Sequence, residues 1–164
     1  MTLIIGIDPG SRRTGYGVIR LQGHKQRYVA SGHLDVSAHP PLERLRHIYL
    51  GLQTIMQTYQ PDEAAIEQIF MKDNASSALK LGQARGAAIV ALTVPISEYA
   101  AREVKKSVVG SGAADKAQVQ FMVARLLNLT GKIQPDEADA LAVALCHAQS
   151  RQLKKLNLMI EGAR

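Results

Sequence analysis

Several residue types that define common protein classes are scarce or missing. The sequence has no tryptophan and only 4% aromatic residues, so a surface that stacks many exposed bases is not expected. The single cysteine, Cys146, cannot form a disulfide within the chain. It stands in an apolar stretch, where a small buried residue is the expected role and a nucleophile the alternative.

Segments for membranes or export are missing as well. No uninterrupted apolar run approaches the roughly 18 residues that would span a bilayer. The N-terminus lacks the basic region and the small-residue cleavage site of a signal peptide. The expected compartment is therefore the cytosol.

What is present describes a folded protein that attracts polyanions. Hydrophobic residues make up 46% and charged residues 21% of the 164 residues, which suits one compact soluble domain. The formal net charge is +6. This charge favours a nucleic-acid partner, although a solubilising excess of lysine would give the same figure.

Hydrophobic periodicity predicts an α/β fold. Residues 2–8, 14–21 and 25–35 form closely linked apolar and β-branched runs, which must pair as an antiparallel meander because a parallel return needs about a dozen residues. The other predicted elements are helices over 41–59, 75–91, 100–108, 113–128 and 136–149 and strands over 62–70 and 95–99. We therefore expect a mixed five-stranded sheet flanked by helices, with the meander on one side and two parallel strands on the other.

The last residues differ in composition from the rest. Residues 1–149 would form the domain, and residues 150–164 a basic C-terminal tail that is either a weak helix or frayed.

Two acidic residues stand where the pattern predicts buried strands. Asp8 ends the apolar first strand, and Glu67 lies among apolar neighbours in the strand over 62–70. A buried, unpaired charge costs several kcal/mol, so each acid would need a partner or a cation. The alternatives are that Asp8 starts the turn at Pro9 and Gly10, and that Glu67 faces solvent.

Two more acids begin the last predicted helix. Asp136 and Asp139 are three residues apart, so they share one helix face and can converge on one point. The alternative is that the two acids have no role in a site, because the helix dipole alone favours acidic residues in a first helical turn.

Taken together, the four acids suggest a metal-dependent hydrolase. Carboxylates placed side by side repel one another unless cations neutralise them, and hard oxygen donors select Mg²⁺ or Mn²⁺ over zinc. Two such ions about 4 Å apart can activate a water for phosphodiester hydrolysis. No G-x-S-x-G elbow or Walker loop competes with this site. The histidines show no metal-ligand spacing; they are His24, His33, His39, His47 and His147.

Four blocks of the sequence, in matching order and spacing, resemble the RuvC family of bacterial Holliday junction resolvases. The blocks are IIGIDPGSRRTGYGVI, AIEQIFMKDNASSALKLGQARGAAIVA, EYAAREVKKSVVGSGAADKAQVQ and PDEADALAVAL. GIDPG alone is weak evidence because actin-like sugar kinases begin similarly, but the resemblance continues to about residue 147. The tail matches nothing in the family.

The resemblance implies a ribonuclease-H-like fold and an endonuclease that cuts DNA junctions. It implies that two Mg²⁺ ions, which Mn²⁺ can replace, bind at the catalytic acids Asp8, Glu67, Asp136 and Asp139. It further implies a homodimer that nicks two strands of like polarity during recombination and repair, and cooperation with the RuvA and RuvB branch-migration proteins.

The resemblance also implies DNA contacts. Phe70 matches an aromatic residue that stacks on bases near the junction centre, with a core phenylalanine as the alternative. Lys105 and Lys116 match DNA-binding lysines, and with Lys106 they bracket a glycine loop that could reach phosphates; solvated lysines are the alternative. The helix over 75–91 matches the dimer contact, although packing inside one subunit would also explain its small residues.

The sequence departs from the family at one turn, and two other classes of function have to be weighed. The turn before Pro95 is shorter than is usual in the family, which puts the local loop geometry in doubt. A junction-binding protein without catalysis would be favoured if an acid were replaced, and none is. An ATPase or sugar kinase of the actin-like type would need a duplicated domain, for which 164 residues are too few.

Overall fold

The first 35 residues of the chain form the predicted meander. The computed structural model describes residues 1–69 and 75–161, with side chains as far as Arg151. Its first strands are β1 (Thr2–Asp8), β2 (Arg13–Gln22) and β3 (Lys25–Asp35). β2 pairs antiparallel with both neighbours, and Asp8 at the end of β1 lies opposite Gly15 of β2.

Two parallel strands complete the sheet. β4 (Glu63–Glu67) pairs parallel with β1, and β5 (Ile96–Tyr99) pairs parallel with β4. The strand order is β3-β2-β1-β4-β5, which places β1 in the centre. The predicted mixed sheet is therefore confirmed.

In the part of the chain that the structure describes, five helices cover the two faces of the sheet and divide the core into two layers. The helices are α1 (Pro41–Tyr59), α2 (Ala75–Ala91), α3 (Ala101–Val109), α4 (Lys116–Leu126) and α5 (Pro135–Glu161). One layer packs Ile5, Ile7 and Ile66 of the sheet against α1 and α2. The other packs Ile4, Ile19 and Ala65 against α3, α4 and α5, because successive strand residues point to opposite faces.

Two expectations from the sequence concern Cys146 and membrane spans. Cys146 is fully buried in the α5 layer, as its apolar neighbours predict. None of the described helices is long and apolar enough to cross a membrane.

Three predicted boundaries were wrong. β4 ends at Glu67 and not at residue 70. α4 begins at Lys116 and not near residue 113, because Asp115 caps it: the Asp115 carboxylate accepts the Gln118 N–H at 2.8 Å, and the Gln118 side chain accepts the Asp115 N–H at 2.9 Å.

The third boundary is that of the last helix. α5 does not end near residue 149 but continues to Glu161, which is the helical alternative for the tail. The division into a domain and a tail at residue 149 stays a prediction. Phe70, a predicted DNA contact, lies outside the described residues.

Candidate active site

The carboxyl ends of β1 and β4 bring two of the predicted acids side by side. Ile7 pairs with Ile66, so Asp8 and Glu67 are the next residues of two adjacent parallel strands. Both lie on the face that α5 covers, because they alternate in step with Gly6 and Ala65, which that helix contacts. The sheet therefore presents two carboxyl groups to the first turns of α5.

Glycines in the sheet let α5 lie directly on the strands. A Cβ atom at Gly15 would overlap the carbonyl oxygen of Asp136, and one at Gly6 would overlap that of Ala140. Because Gly15 is also the partner of Asp8 across the sheet, the start of α5 lies directly above the end of β1. Sequence reasoning missed these contacts, although glycines inside two predicted strands were a visible signal for close approach.

The first turns of α5 add the other two acids. Asp136 and Asp139 are three residues apart, so both project from the same face of the helix toward the strand ends. The Lys116 ammonium lies 3.2 Å from the Asp139 carboxylate. The structure thus brings all four predicted acids together, with one lysine in contact.

The electrostatics of the cluster follow from burial and like charge. Burial, followed by the charges of Asp139, Glu67 and Asp136, raises the pKa of Asp8 to about 8, and Lys116 only partly opposes this. Burial and the charge of Asp139 likewise raise the pKa of Glu67. Perturbation of this kind is typical of functional carboxylates and of metal sites. The cluster is therefore a candidate metal centre.

The predicted lysines divide into two groups. Lys116 is held at the first turn of α4 by the Asp115 cap, and its charge interacts with both Asp139 and Asp8. Lys105 of α3 lies close enough to Glu67 for its charge to lower the pKa of that acid. Lys106, the next residue, is exposed and turned away from Lys105 by about 100° around the helix axis. The structure therefore brings Lys105 and Lys116, but not Lys106, to the acids.

One further residue fixes the site and was not predicted. Glu137 follows Asp136 on α5, and its carboxylate accepts a hydrogen bond from the Ser31 hydroxyl at 2.9 Å. The other carboxylate oxygen lies 3.7 Å from Nδ1 of His33. These contacts attach the start of α5 to the edge strand β3. No local sequence pattern links residues more than a hundred positions apart.

The statement that the histidines show no metal-ligand spacing was wrong. Ligand atoms of His39, Glu43 and His47 all lie within 4.8 Å of one another. The four-residue spacing spans the start of α1, where a turn preceding the helix places His39 beside the helix face. The four predicted acids all lie in the described part of the chain, and no three of them have ligand atoms that all lie within 4.8 Å of one another.

Comparisons with known proteins agree with this geometry. Residues 4–147 match the family described as crossover junction endodeoxyribonuclease RuvC. The RuvC protein of Photobacterium profundum is 59% identical over 155 residues, covering 93% of this chain and 90% of that protein. The RuvC protein of Acinetobacter baumannii is 56% identical over 163 residues, covering 97% of this chain and 90% of that protein.

Solved structures show the same fold. The Thermus thermophilus RuvC in complex with Holliday junction substrate superposes with a TM-score of 0.87 at 32% identity, covering 94% of this chain and 97% of that one. The yeast mitochondrial Holliday junction resolvase Ydc2, at 11% identity and a TM-score of 0.67, shares the fold alone.

The mixed five-stranded sheet and its helical layers place the chain in the class of α/β proteins with a ribonuclease-H-like fold. The extent and identity of the matches then narrow this class to one family. The chain belongs to the RuvC family of crossover junction endodeoxyribonucleases.

Proposed function

We propose that this protein resolves Holliday junctions by paired, metal-dependent nicking of two DNA strands of like polarity during recombination and repair. The observation that carries the proposal is the convergence of four acids from three separate elements, which raises the pKa of Asp8 to about 8. Acidic side chains brought together in this way are typical of sites that bind a cation.

The four acids fit divalent cations with oxygen ligands. Asp8, Glu67, Asp136 and Asp139 would hold two Mg²⁺ ions, with Mn²⁺ as a substitute, because carboxylates are the donors that these hard ions prefer. When bound, such ions activate a water and stabilise the leaving oxygen of a phosphodiester.

Lysine side chains would bind the DNA backbone beside the acids. The side chain of Lys116 is 79% exposed although it contacts Asp139, so it can reach a phosphate placed over the cluster. Lys105 approaches from α3 on the side of Glu67. Contacts of this kind position the strand without reading its sequence. Lys106 at the end of α3 and Phe70 remain predicted contacts to the junction.

The identity of the substrate is supported by similarity. The Thermus thermophilus RuvC, which this chain matches over 94% of its length, was solved with a Holliday junction substrate. We extend to this chain the four-way junction as substrate, the RuvA and RuvB branch-migration proteins as partners, and the bacterial cytoplasm as the compartment where they meet.

The surface of α2 supports a homodimer. Ala84, Ala88 and Ala91 are buried within the subunit, where α2 packs beside α1. The opposite face exposes Leu79 and Val90, with Gly82 and Gly86 between them where an added Cβ would meet open space. A helix face with apolar ends and a glycine centre suits close contact with a second copy. A dimer would place one acid cluster on each of two strands of a symmetric junction.

The dimer is tested by a matched pair of variants. Leu79 and Phe121 are similarly exposed, at 66% and 60%, but Phe121 lies on α4. Leu79→Arg is expected to convert the protein to monomers in light scattering after size exclusion, because it places a charge in the contact. Phe121→Arg is expected to remain dimeric. Equal masses for both variants would exclude α2 as the contact.

The catalytic proposal is tested on synthetic DNA. Asp8→Asn is expected to lower magnesium-dependent cleavage of a four-way junction by at least about 10³-fold, while gel-shift binding persists, because the acid is needed for chemistry and not for docking. Asp62→Asn is the control, since Asp62 accepts the Leu3 N–H before β4, away from the acids, and an amide oxygen can still accept it.

A linear duplex serves as the second substrate in both assays. Selective cleavage of the junction supports resolution, whereas equal cleavage of both substrates would indicate a general nuclease. Wild-type cleavage by Asp8→Asn would show that the metal-site assignment is wrong.

A further inference from the structure

Two histidines and a glutamate converge where β3 leads into α1. Ligand atoms of His39, Glu43 and His47 lie within 4.8 Å of one another. The two imidazole rings stack with their centroids 3.7 Å apart and their planes inclined by 18°. Two imidazoles and one carboxylate form a donor set that suits Zn²⁺ and the neighbouring first-row transition metals.

The backbone holds the first histidine in place. The N–H of His39 donates to the Val36 carbonyl at 3.1 Å, and the carbonyl of His39 accepts from Nε of Arg44 at 2.7 Å. Pro40 and Pro41 follow and restrict the chain where it enters α1. The position of His39 therefore does not depend on a bound ligand.

The other two members lie on the helix itself. Glu43 and His47 are four residues apart on α1, so their side chains occupy one face. Both are exposed and can rotate toward a shared ion, while His39 is half-buried beside them. Because the backbone already holds the three residues side by side, closing a coordination shell requires only side-chain rotation, which lowers its conformational cost.

We propose that His39, Glu43 and His47 bind one transition-metal ion of the zinc class. Three protein ligands leave at least one coordination position for water. The site is distinct from the candidate active site, because the acids lie on the α5 side of the sheet and this cluster lies on α1. The two sites also differ in donors: an all-oxygen set favours Mg²⁺ or Mn²⁺, whereas imidazole favours zinc.

The proposal is tested by titrating the untagged full chain with ZnCl₂ in a calorimeter, with excess Mg²⁺ present to occupy the acids. Wild type is expected to bind one equivalent through the cluster. His47→Gln and His39→Gln are expected to raise the Kd for zinc at least roughly 10-fold, because the loss of a donor should cost no less than the loss of a side chain that only orients one. His24→Gln, an exposed histidine in the β2–β3 turn, is the matched control and should bind as wild type does.

A second measurement needs no variant. In wild-type protein, zinc is expected to shift the imidazole resonances of His39 and His47 while leaving those of His24 in place. Unchanged His39 and His47 resonances, or equal zinc affinity in wild type and both cluster variants, would overturn the proposal. Any zinc equivalent held by the acids would persist in the histidine variants and be counted separately.

Discussion

The two ends of β4 each carry a glutamate on the same face, under the same helix, yet their surroundings are opposite. Glu63 accepts from Nε2 of His147 and from Nε of Arg151, both at 2.8 Å. Glu67, about 13 Å further along the strand, faces the charge of Asp139 and has a raised pKa. One end of the β4–α5 contact is neutralised by the protein itself, and the other retains negative charge.

The difference separates an acid that the protein pairs with basic side chains from one that it places beside another acid. At the Glu63 end the network is complete, since the second nitrogen of His147 bonds the Tyr99 hydroxyl at 2.9 Å. At the Glu67 end the chain supplies like charges and cationic side chains that only partly compensate them. A buried acid with its own partners stabilises the fold, whereas one surrounded by other acids prepares a place for a cation.

The largest expected effect comes from removing the charge of the glutamate at one end of β4 and then, in a separate variant, at the other. Glu67→Gln should lower junction cleavage by at least about 10³-fold, equivalent to about 4 kcal/mol in the barrier, and leave urea stability unchanged or higher. Glu63→Gln should lower the free energy of unfolding by about 2 kcal/mol and keep most cleavage, because it leaves His147 and Arg151 without their anion. If the two variants exchanged phenotypes, the comparison would fail.

The pH dependence of metal-free protein sharpens the same contrast. Because the folded state raises the pKa of Asp8 from 3.8 to about 8, it retains a proton that the unfolded chain releases. The stability from this acid is therefore present below pH 3.8 and is lost as pH rises toward 8.

Because the shift is about four pKa units, we expect this loss to be at most about 6 kcal/mol, to be absent in Asp8→Asn, and to be offset by Mg²⁺ at the upper end of the range. Denaturant midpoints across this pH range measure it. Parallel profiles for wild type and Asp8→Asn would show that Asp8 is not perturbed.

The glycine contacts between α5 and the sheet test whether geometry matters apart from charge. Gly15→Ala should cost about 2 kcal/mol of stability, because its Cβ overlaps the carbonyl oxygen of Asp136 and the helix must shift. Gly6→Ala meets the Ala140 carbonyl in the same way, one turn further along α5, and is the matched control. Both should destabilise similarly in thermal melts, but Gly15→Ala should lower cleavage more.

The smallest effect is expected from the lysine at the acid cluster. Lys116→Gln should lower cleavage about tenfold and reduce the slope of log binding constant against log salt by about one, as the loss of one phosphate contact predicts. Lys25→Gln is the control, because Lys25 lies at the start of β3 on the opposite edge of the sheet. It should change the cleavage rate and the salt slope much less than Lys116→Gln does. A salt slope unchanged by Lys116→Gln would remove this lysine from the DNA contact.

Periodicity and residue chemistry predicted most of the fold and the members of the acid cluster. Asp8 and Glu67 could be found because a charge in an apolar strand contradicts its surroundings. Asp136 and Asp139 could be placed together because helix geometry fixes the distance between residues three apart. These signals are local, which is why the sequence carries them.

Features that depend on distant parts of the chain could not be predicted. The bond from Ser31 to Glu137 joins a strand and a helix across 106 positions. The neighbourhood of His39 and His47 depends on a turn that places a residue from before α1 beside the helix. The length of α5 was underestimated because the charged and polar residues after residue 149 were given more weight than Leu153, Leu156 and Ile160, which recur at helical spacing.

The backbone contacts of α5 with the sheet at Gly6 and Gly15 bear on which substitutions the protein can tolerate. Because backbone lies on backbone at Gly6 and Gly15, the separation of the helix from the strands does not depend on the volume of any side chain between them. Substitutions elsewhere in the core that keep these two backbone contacts are expected to change the spacing of the carboxylates little. Cleavage and stability are thereby able to evolve separately.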